Sequence, residues 1–231
     1  INKAKINFDF LPVGMIKKDL GIASIKLKDE LSYLIGFRDF DENVPFIDRL
    51  LHILEKADMD TVVFDAKYIY ETTDFNKIKY LNSNYTEYIN SLNNYITEIS
   101  DVLKNNNNNI RSIKDASEML CVIIGFDKFI GSLSPEDKTL FTNMLLKAKD
   151  TLKIHFVFID IPGGFKPYEF ESWYKGTVNA STGLWLGDGF AEQYLIKPTK
   201  IIQDYYDIVG NSYGYMVENG QVKFIKVIEK N

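Results

Sequence analysis

The apolar positions of this chain fall into short alternating or continuous runs separated by helical stripes. Residues Lys5 to Phe10 alternate, with Ile6, Phe8 and Phe10 on one side, and predict a short strand; Leu11-Pro12-Val13-Gly14 reads as a turn. Ile22 to Leu27 alternates again and predicts a second strand. Tyr33-Leu34-Ile35 is an apolar strand running into Gly36, and Gly36 to Asn43 reads as a loop. Pro45 then stands where a first helical turn tolerates proline, and Phe46, Ile47, Leu50, Leu51 and Leu54 follow at helical spacing. Thr61 to Phe64 is a β-branched run closed by Asp65, so this part of the chain predicts a parallel βαβ unit.

The second half repeats the alternation of strand and helix. Tyr85, Tyr88, Ile89, Leu92, Ile96, Ile99 and Leu103 form one helical stripe that ends in the asparagine run Asn105 to Asn109, a solvated turn. Met119 to Ile124 and Ile154 to Ile159 are continuous apolar runs, as strands buried on both faces require. Between them Ser134-Pro135-Glu136-Asp137 opens a helix with a hydroxyl cap, a proline and first-turn acids. Pro162-Gly163-Gly164 breaks the chain, and Phe170, Trp173 and Tyr174 suggest a short helix. Gly183 to Gly187 is a strand followed by the turn Gly187-Asp188-Gly189, and Asn219-Gly220 between two alternating runs predicts a hairpin. The pattern describes one α/β domain over residues 1–231 with a mainly parallel central sheet and a C-terminal β-hairpin.

A strand, a glycine, a loop and a helix are the layout of a phosphate-cradling loop, G-x-x-x-x-G-K-[ST]. Counted from Gly36, Asp41 stands at the second glycine, Glu42 at the lysine and Asn43 at the hydroxyl. Glu42 therefore puts an anion where a phosphate-binding loop needs a cation. At 4 Å and an effective dielectric near 20, each such unit-charge interaction amounts to about 4 kcal/mol. The acid that would hold Mg²⁺ belongs at the end of a buried strand. There the run Met119 to Ile124 passes into Gly125 and Phe126, and Asp127 comes two positions late. Arg38 and Lys128 are the bases that could contact a nucleotide on an alternative alignment.

The chain has 231 residues, 45% hydrophobic and 26% charged, with a net charge of −5, an ordinary globular balance without a general basic excess for nucleic acid. Cys121 is its one cysteine, so no disulfide can form within the chain. No apolar run reaches the length of a bilayer span. The sequence starts at Ile1, as expected of a segment of a longer protein. His52 and His155 fall in a predicted helix and strand and read as structural, and no Cys/His cluster has metal-ligand spacing. Asp160 ends a strand and could face a cleft. The aromatics Phe165, Tyr168, Phe170, Trp173, Tyr174 and Trp185 are dense enough either to fill a core or to line a groove for a partner helix.

Four stretches, in this order, carry a family resemblance: LPVG (Leu11–Gly14), YLIG (Tyr33–Gly36), CVIIGFDKFI (Cys121–Ile130), and the segment from His155 to Ile196 with IDIP, GLWLGDG and AEQYLI. With the terminal hairpin YGYMVENGQVKFIKV, they make the whole chain similar to FtsK/SpoIIIE-type (HerA-like) P-loop ATPase domains, in particular the last of the tandem ATPase domains of type VII secretion motors. The resemblance implies a three-layer P-loop NTPase-like fold of the RecA/HerA kind and a membrane-anchored Gram-positive parent with the domain on its cytoplasmic side. It also implies adjacent ATPase domains of the same chain, oligomerisation of the full-length motor, and secreted WXG-type helical-hairpin proteins as partners. On that alignment Gly36, Asp41, Glu42 and Asn43 form a degenerate Walker A motif, and Gly125, Phe126 and Asp127 a degenerate Walker B motif. No catalytic residue is carried over, no ATP or Mg²⁺ cofactor is expected, and the expected role is substrate recognition or regulation of export. The alternative is a domain that binds nucleotide through non-standard motifs and needs neighbouring subunits for activity. An interaction domain unrelated to ATPases would lack a strand–loop–helix at Tyr33 to Leu54.

Overall fold

The computed structural model describes residues 5–228. Its strands are β1 (Leu11–Ile16), β2 (Ile22–Ile25), β3 (Ser32–Phe37), β4 (Asp60–Asp65), β5 (Lys79–Leu81), β6 (Met119–Ile124), β7 (Ile154–Asp160), β8 (Gly183–Leu186), β9 (Tyr213–Glu218) and β10 (Gln221–Val227). Its helices are α1 (Phe40–Leu54), α2 (Thr86–Asn105), α3 (Phe126–Ser132), α4 (Pro135–Thr151), α5 (Pro162–Phe165) and α6 (Ser172–Thr177). The strands form one sheet in the order β2-β1-β10-β9-β8-β3-β7-β6-β4-β5. The run from β8 to β5 is parallel, and the run from β9 to β2 is antiparallel.

Alternation along the central strands sorts side chains to opposite faces. Tyr33, Ile35 and Phe37 of β3, with Val122 and Ile124 of β6 and Val157 and Ile159 of β7, pack against Phe46, Ile47, Leu50, Leu51 and Leu54 of α1. Leu34, Cys121, Ile123, Phe156 and Phe158 face the other way, onto α2, α3 and α4. The helices thus cover both faces, as a parallel sheet requires, and the architecture is the expected three-layer α/β type with a mainly parallel centre. The hairpin β9–β10 turns at Asn219 and Gly220, both at positive φ, the pair that this tight turn favours.

Two local expectations are corrected. Lys5 to Phe10 is not a strand: the segment holds a single bridge between Asn7 and Phe10. The predicted turn Leu11 to Gly14 is instead the start of β1, paired on one side with β2 and on the other with β10. Pro12 is tolerated because the β1–β2 register shifts between Pro12 and Gly14, a bulge where the ladder is already interrupted. Gly14 is there for space, since a Cβ would run into the Lys226 carbonyl of β10. Among the described residues no helix is long and apolar enough to cross a membrane.

Candidate functional site

In an open parallel sheet, ligands bind beyond the carboxyl ends of the strands. Here those ends are Phe37 of β3, Asp160 of β7, Ile124 of β6 and Asp65 of β4, in that order across the sheet. The strand–turn–helix expected at Tyr33 to Leu54 is present, but the loop is much shorter than Gly36 to Asn43. Gly36 and Phe37 belong to β3, and α1 starts at Phe40. Asp39 is the reason. Its backbone is extended, and its side-chain oxygen Oδ1 accepts from the N–H of Asp41 at 2.9 Å and of Glu42 at 3.2 Å. This caps the helix six residues before Pro45, which therefore lies inside α1 and cannot donate to the carbonyl four residues back.

Gly36 does not bend around an anion. It is ordinary strand backbone, and a Cβ there would meet Leu195 at 2.8 Å and the Trp185 ring at 3.1 Å. The glycine serves the packing of β3 on β8. Asp41, Glu42 and Asn43 are drawn into the first turn of the helix, with Glu42 accepting from the Asn211 side chain at 2.9 Å. Asn43 is buried; its Nδ2 donates to the Asp39 carbonyl at 2.8 Å, and its Oδ1 has no partner.

Beyond β6 the chain turns through Gly125, at φ 78°, into α3. Phe126 is buried and stacks on Phe165 at 4.9 Å between ring centroids, so the place of an acidic pair is taken by a turn and a core aromatic. The Asp127 carboxylate accepts from the Tyr168 hydroxyl at 2.9 Å. Asp160, one strand over, accepts from the N–H of Ile161 at 2.9 Å and of Asp127 at 3.3 Å. The sequence had weighed Asp160 as a cleft acid, but it is almost wholly buried. That burial raises the pKa of its carboxyl, against the opposing pull of Lys67 and of the two N–H groups.

Lys67 is the residue the sequence did not single out. It follows β4, where the buried Asp65 carboxylate accepts from the N–H of Lys67 at 2.9 Å and of Ile69 at 2.6 Å. From there its side chain crosses the end of β6, so close to Gly125 that a Cβ would meet Lys67 Cγ at 2.7 Å. Its Nζ lies 3.7 Å from Asp160 Oδ1 at the end of β7 and 4.5 Å from the centre of the Phe40 ring at the start of α1. One side chain thus links the ends of β4, β6 and β7 with the first residue of α1. The two bases of the alternative alignment lie elsewhere: Arg38 is paired with Glu192 across Gly189, and Lys128 lines a cleft beside α3.

Comparison with solved structures places the fold. The cytoplasmic domain of EssC superposes with a TM-score of 0.76 at 14% identity, over 99% of this chain and 44% of that one. EssC (ATPases 2 and 3) from Geobacillus thermodenitrificans gives 0.68 at 15% over 98% and 42%. Thermomonospora curvata EccC (ATPases 2 and 3), in complex with a signal sequence peptide, gives 0.61 at 17% over 96% and 41%. The fold is that of the EssC and EccC ATPase domains. The chain spans less than half the length of each of these structures. No protein-family model matches the sequence, and no curated protein matches it.

Within this EssC-type fold the aromatics expected to line a substrate pocket come together, but as core. Phe165, Tyr168, Trp173 and Tyr174 pack around Phe126, and Trp185 is buried with its Nε1 donating to the Asp188 carbonyl at 2.9 Å. Phe170 alone stands out, at 79% exposure, under the Lys175 ammonium. An open apolar groove lies instead against the terminal hairpin. It has a volume of about 660 Å³ and is lined by Ile202, Tyr205, Ile208, Tyr213, Val222 and Phe224, with Asp204, Asp207 and Lys17. Ile208 is 89% exposed, and Ile201 and Tyr206 are exposed beside it. A second, polar cleft of about 680 Å³ lies between the start of α2 and α3, lined by Asn82, Ser83, Asn84, Asp127 and Lys128. His155 is buried, with Nδ1 against the Glu30 carbonyl at 2.8 Å, and burial lowers its pKa. His52 sits on α1 beside Asp48, and Cys121 is a core thiol.

The raised pKa of Asp160 sets a pH signature. A carboxyl whose folded pKa exceeds its unfolded value stabilises the fold at low pH relative to high pH. The stability of the native chain relative to Asp160→Asn is therefore greatest below the ordinary carboxylate value of 3.8 and falls as pH rises above it, through the folded pKa. Denaturant titrations of both chains from acid to neutral pH read this difference directly. A pH-independent difference, or one that grows with pH, would show that burial does not govern this carboxyl.

Proposed function

We propose that this chain is an ATPase-fold domain of an EssC-type secretion motor that does not hydrolyse ATP and acts in substrate recognition or in regulating export. The observation that carries the reading is the self-occupied strand-end crevice. The N–H groups at the start of α1 that would face a phosphate already serve the Asp39 carboxylate. The Lys67 ammonium, which lies over the first residue of α1, faces Asp160 and the Phe40 ring. Asp41 and Glu42 add negative charge at the same turn. These residues do not fit a Mg-nucleotide: an incoming phosphate would have to displace a carboxylate and then stand beside two more. No catalytic step is derived through that group.

The second reading, nucleotide binding through non-standard residues, rests on Lys128, which lines the polar cleft beside α3 together with Asn82, Ser83 and Asn84. Calorimetry with Mg-ATP separates the two. The first reading expects no heat of binding and no phosphate release; micromolar affinity with turnover would overturn it.

For partners, the groove against the terminal hairpin supports docking of an apolar segment, since contiguous exposed apolar surface marks interaction sites. The EccC structure named above was solved with a signal sequence peptide. We assign the corresponding role here, binding of a secreted WXG-type helical hairpin, to the surface around Ile202, Tyr205 and Ile208, with Phe170 as a separate exposed aromatic. The domain would work on the cytoplasmic side of a membrane-anchored parent, beside further ATPase domains of the same chain and within an oligomer. Trp173 and Trp185 are buried, so replacing them would report on folding rather than on binding. Ile208→Asp is the informative change. It should weaken retention of such a hairpin protein about tenfold, the loss of one well-packed apolar anchor, while Phe170→Ser leaves it intact. The opposite pattern would move the docking surface to Phe170.

A further inference from the structure

The amino ends of the parallel strands, opposite the Lys67 crevice, hold a buried titratable group that the proposed function does not use. His155 is the second residue of β7 and is wholly buried. Alternation along the strand puts it on the α1 side of the sheet, with Val157 and Ile159. Its Nδ1 lies 2.8 Å from the Glu30 carbonyl oxygen, which can only accept. Nδ1 therefore carries the hydrogen, and Nε2 is left with the lone pair. Nε2 is buried and has no hydrogen-bond partner.

What packs over the ring is the lead segment of the described chain. The Phe8 ring lies on the imidazole, 5.0 Å between centroids and tilted by 43°. The single bridge in this segment is internal, between Asn7 and Phe10. The Phe8 carbonyl accepts from the N–H groups of Leu27 and Lys28 at 2.7 and 3.1 Å, and the Ile6 carbonyl from that of Asp58 at 2.9 Å. Exposed ion pairs join Lys5 to Asp58 and Asp9 to Lys28. The other charged groups near the imidazole are Asp29 and Glu30 before β3, Glu118 before β6 and Lys153 before β7. The Glu30 carboxylate accepts from the Asn179 side chain at 3.4 Å, and Lys153 Nζ lies 3.5 Å from Glu118. On the same face of β3 the Tyr33 hydroxyl is likewise buried and without a partner. None of these groups meets Nε2.

A proton on Nε2 makes the ring a cation with a second N–H, and nothing inside accepts that hydrogen. A buried, unpaired ionic donor is costly, and water is the acceptor that removes the cost. We propose that His155 is an acid-triggered release for the lead segment: when Nε2 takes a proton from solvent, Phe8 is displaced so that water reaches the ring, and residues 5–10 come away from the amino end of the sheet. β7 itself stays in place, paired with β3 on one side and β6 on the other. Burial, with Lys153 adding to it, holds the folded pKa of His155 below the ordinary 6.5, against the Glu30 carbonyl, Glu118 and Asp29. A depressed folded pKa gives docking that is fully present above 6.5 and is lost as pH falls through the folded value. The inference is independent of the nucleotide chemistry, which belongs to the other end of the strands.

Hydrogen exchange at the Leu27 and Lys28 N–H groups reads the docking, because both are held by the Phe8 carbonyl, and NMR of the His155 ring reads the proton. The native chain is followed from about pH 8 to about pH 5, with exchange corrected for its intrinsic rate. Protection of both amides should be constant above 6.5 and fall below it by up to about tenfold per pH unit, the slope of one proton. The ring should stay neutral at 6.5 and gain its proton only below it, while the amides of β6, in the centre of the sheet, remain the better protected throughout. His155→Gln, which keeps a donor for the Glu30 carbonyl and does not titrate, should remove the pH dependence. Phe8→Ala, which uncovers the ring, should move the His155 titration up towards 6.5. Protection that ignores pH in the native chain, the same pH dependence in His155→Gln, an unmoved titration in Phe8→Ala, or equal loss of protection in β6 would each overturn the proposal.

Discussion

The Asp39 carboxylate, set on the first free N–H groups of α1, fixes the geometry at the head of the sheet. A helix start leaves unpaired N–H groups that attract an anion, and an ordinary N-cap is worth about 0.5–2 kcal/mol. In a phosphate-binding loop that demand is met by a ligand, with glycines letting the backbone curl around it. Here the chain meets the demand itself, and the consequences follow in order. The loop shrinks to Arg38 and Asp39, α1 begins at Phe40, and Pro45 is absorbed into the helix. The Phe40 ring is brought to where Lys67 can cover it, and Lys67 can then face Asp160 across the end of β6. Gly125 permits that crossing because it carries no side chain and takes the left-handed backbone needed to enter α3.

The fold was legible in the sequence wherever periodicity was unambiguous. The buried runs Met119 to Ile124 and Ile154 to Ile159, the capped helix after Ser134 and the Asn-Gly hairpin all stand as read. Misreadings came from residues whose local preference was overridden. Leu11 to Gly14 has turn composition, yet it runs as strand against β2 because a bulge accommodates Pro12, and at Gly14 the missing side chain lets β10 approach on the other side. The short β5 and helix α3 carry too few periodic positions to stand out. At the site, the order of strand, glycine and acids was visible, but the cap was not. Asp39 drew no attention of its own, although an aspartate ahead of a helical stripe is itself a start signal. Lys67 had no signal beyond its place two residues after Asp65. Its partners lie about 90 and 30 residues away in sequence, at Asp160 and Phe40, and only the strand order brings them together.

The aromatic segment shows the same limit from the other side. Density of Phe, Tyr and Trp cannot distinguish a groove from a core, because both need apolar surface. Phe126 decides it: once that ring stands where an acid was expected, it draws Phe165, Tyr168, Trp173 and Tyr174 into a closed cluster. The open apolar surface is left to the segment before the hairpin, where Ile201, Ile202, Tyr206 and Ile208 stand exposed and regular structure is scarce. Phe126 at the end of β6 and the closed aromatic cluster around it are one packing arrangement, and the exposed apolar surface lies elsewhere.

Amide hydrogen exchange at Asp41 and Glu42 tests the central claim most directly, because those two N–H groups are the ones a phosphate and the Asp39 carboxylate would compete for. The account predicts that both are protected in the chain alone and that saturating Mg-ATP leaves their exchange unchanged. Rapid exchange in the free chain, slowed when Mg-ATP is added, would contradict it.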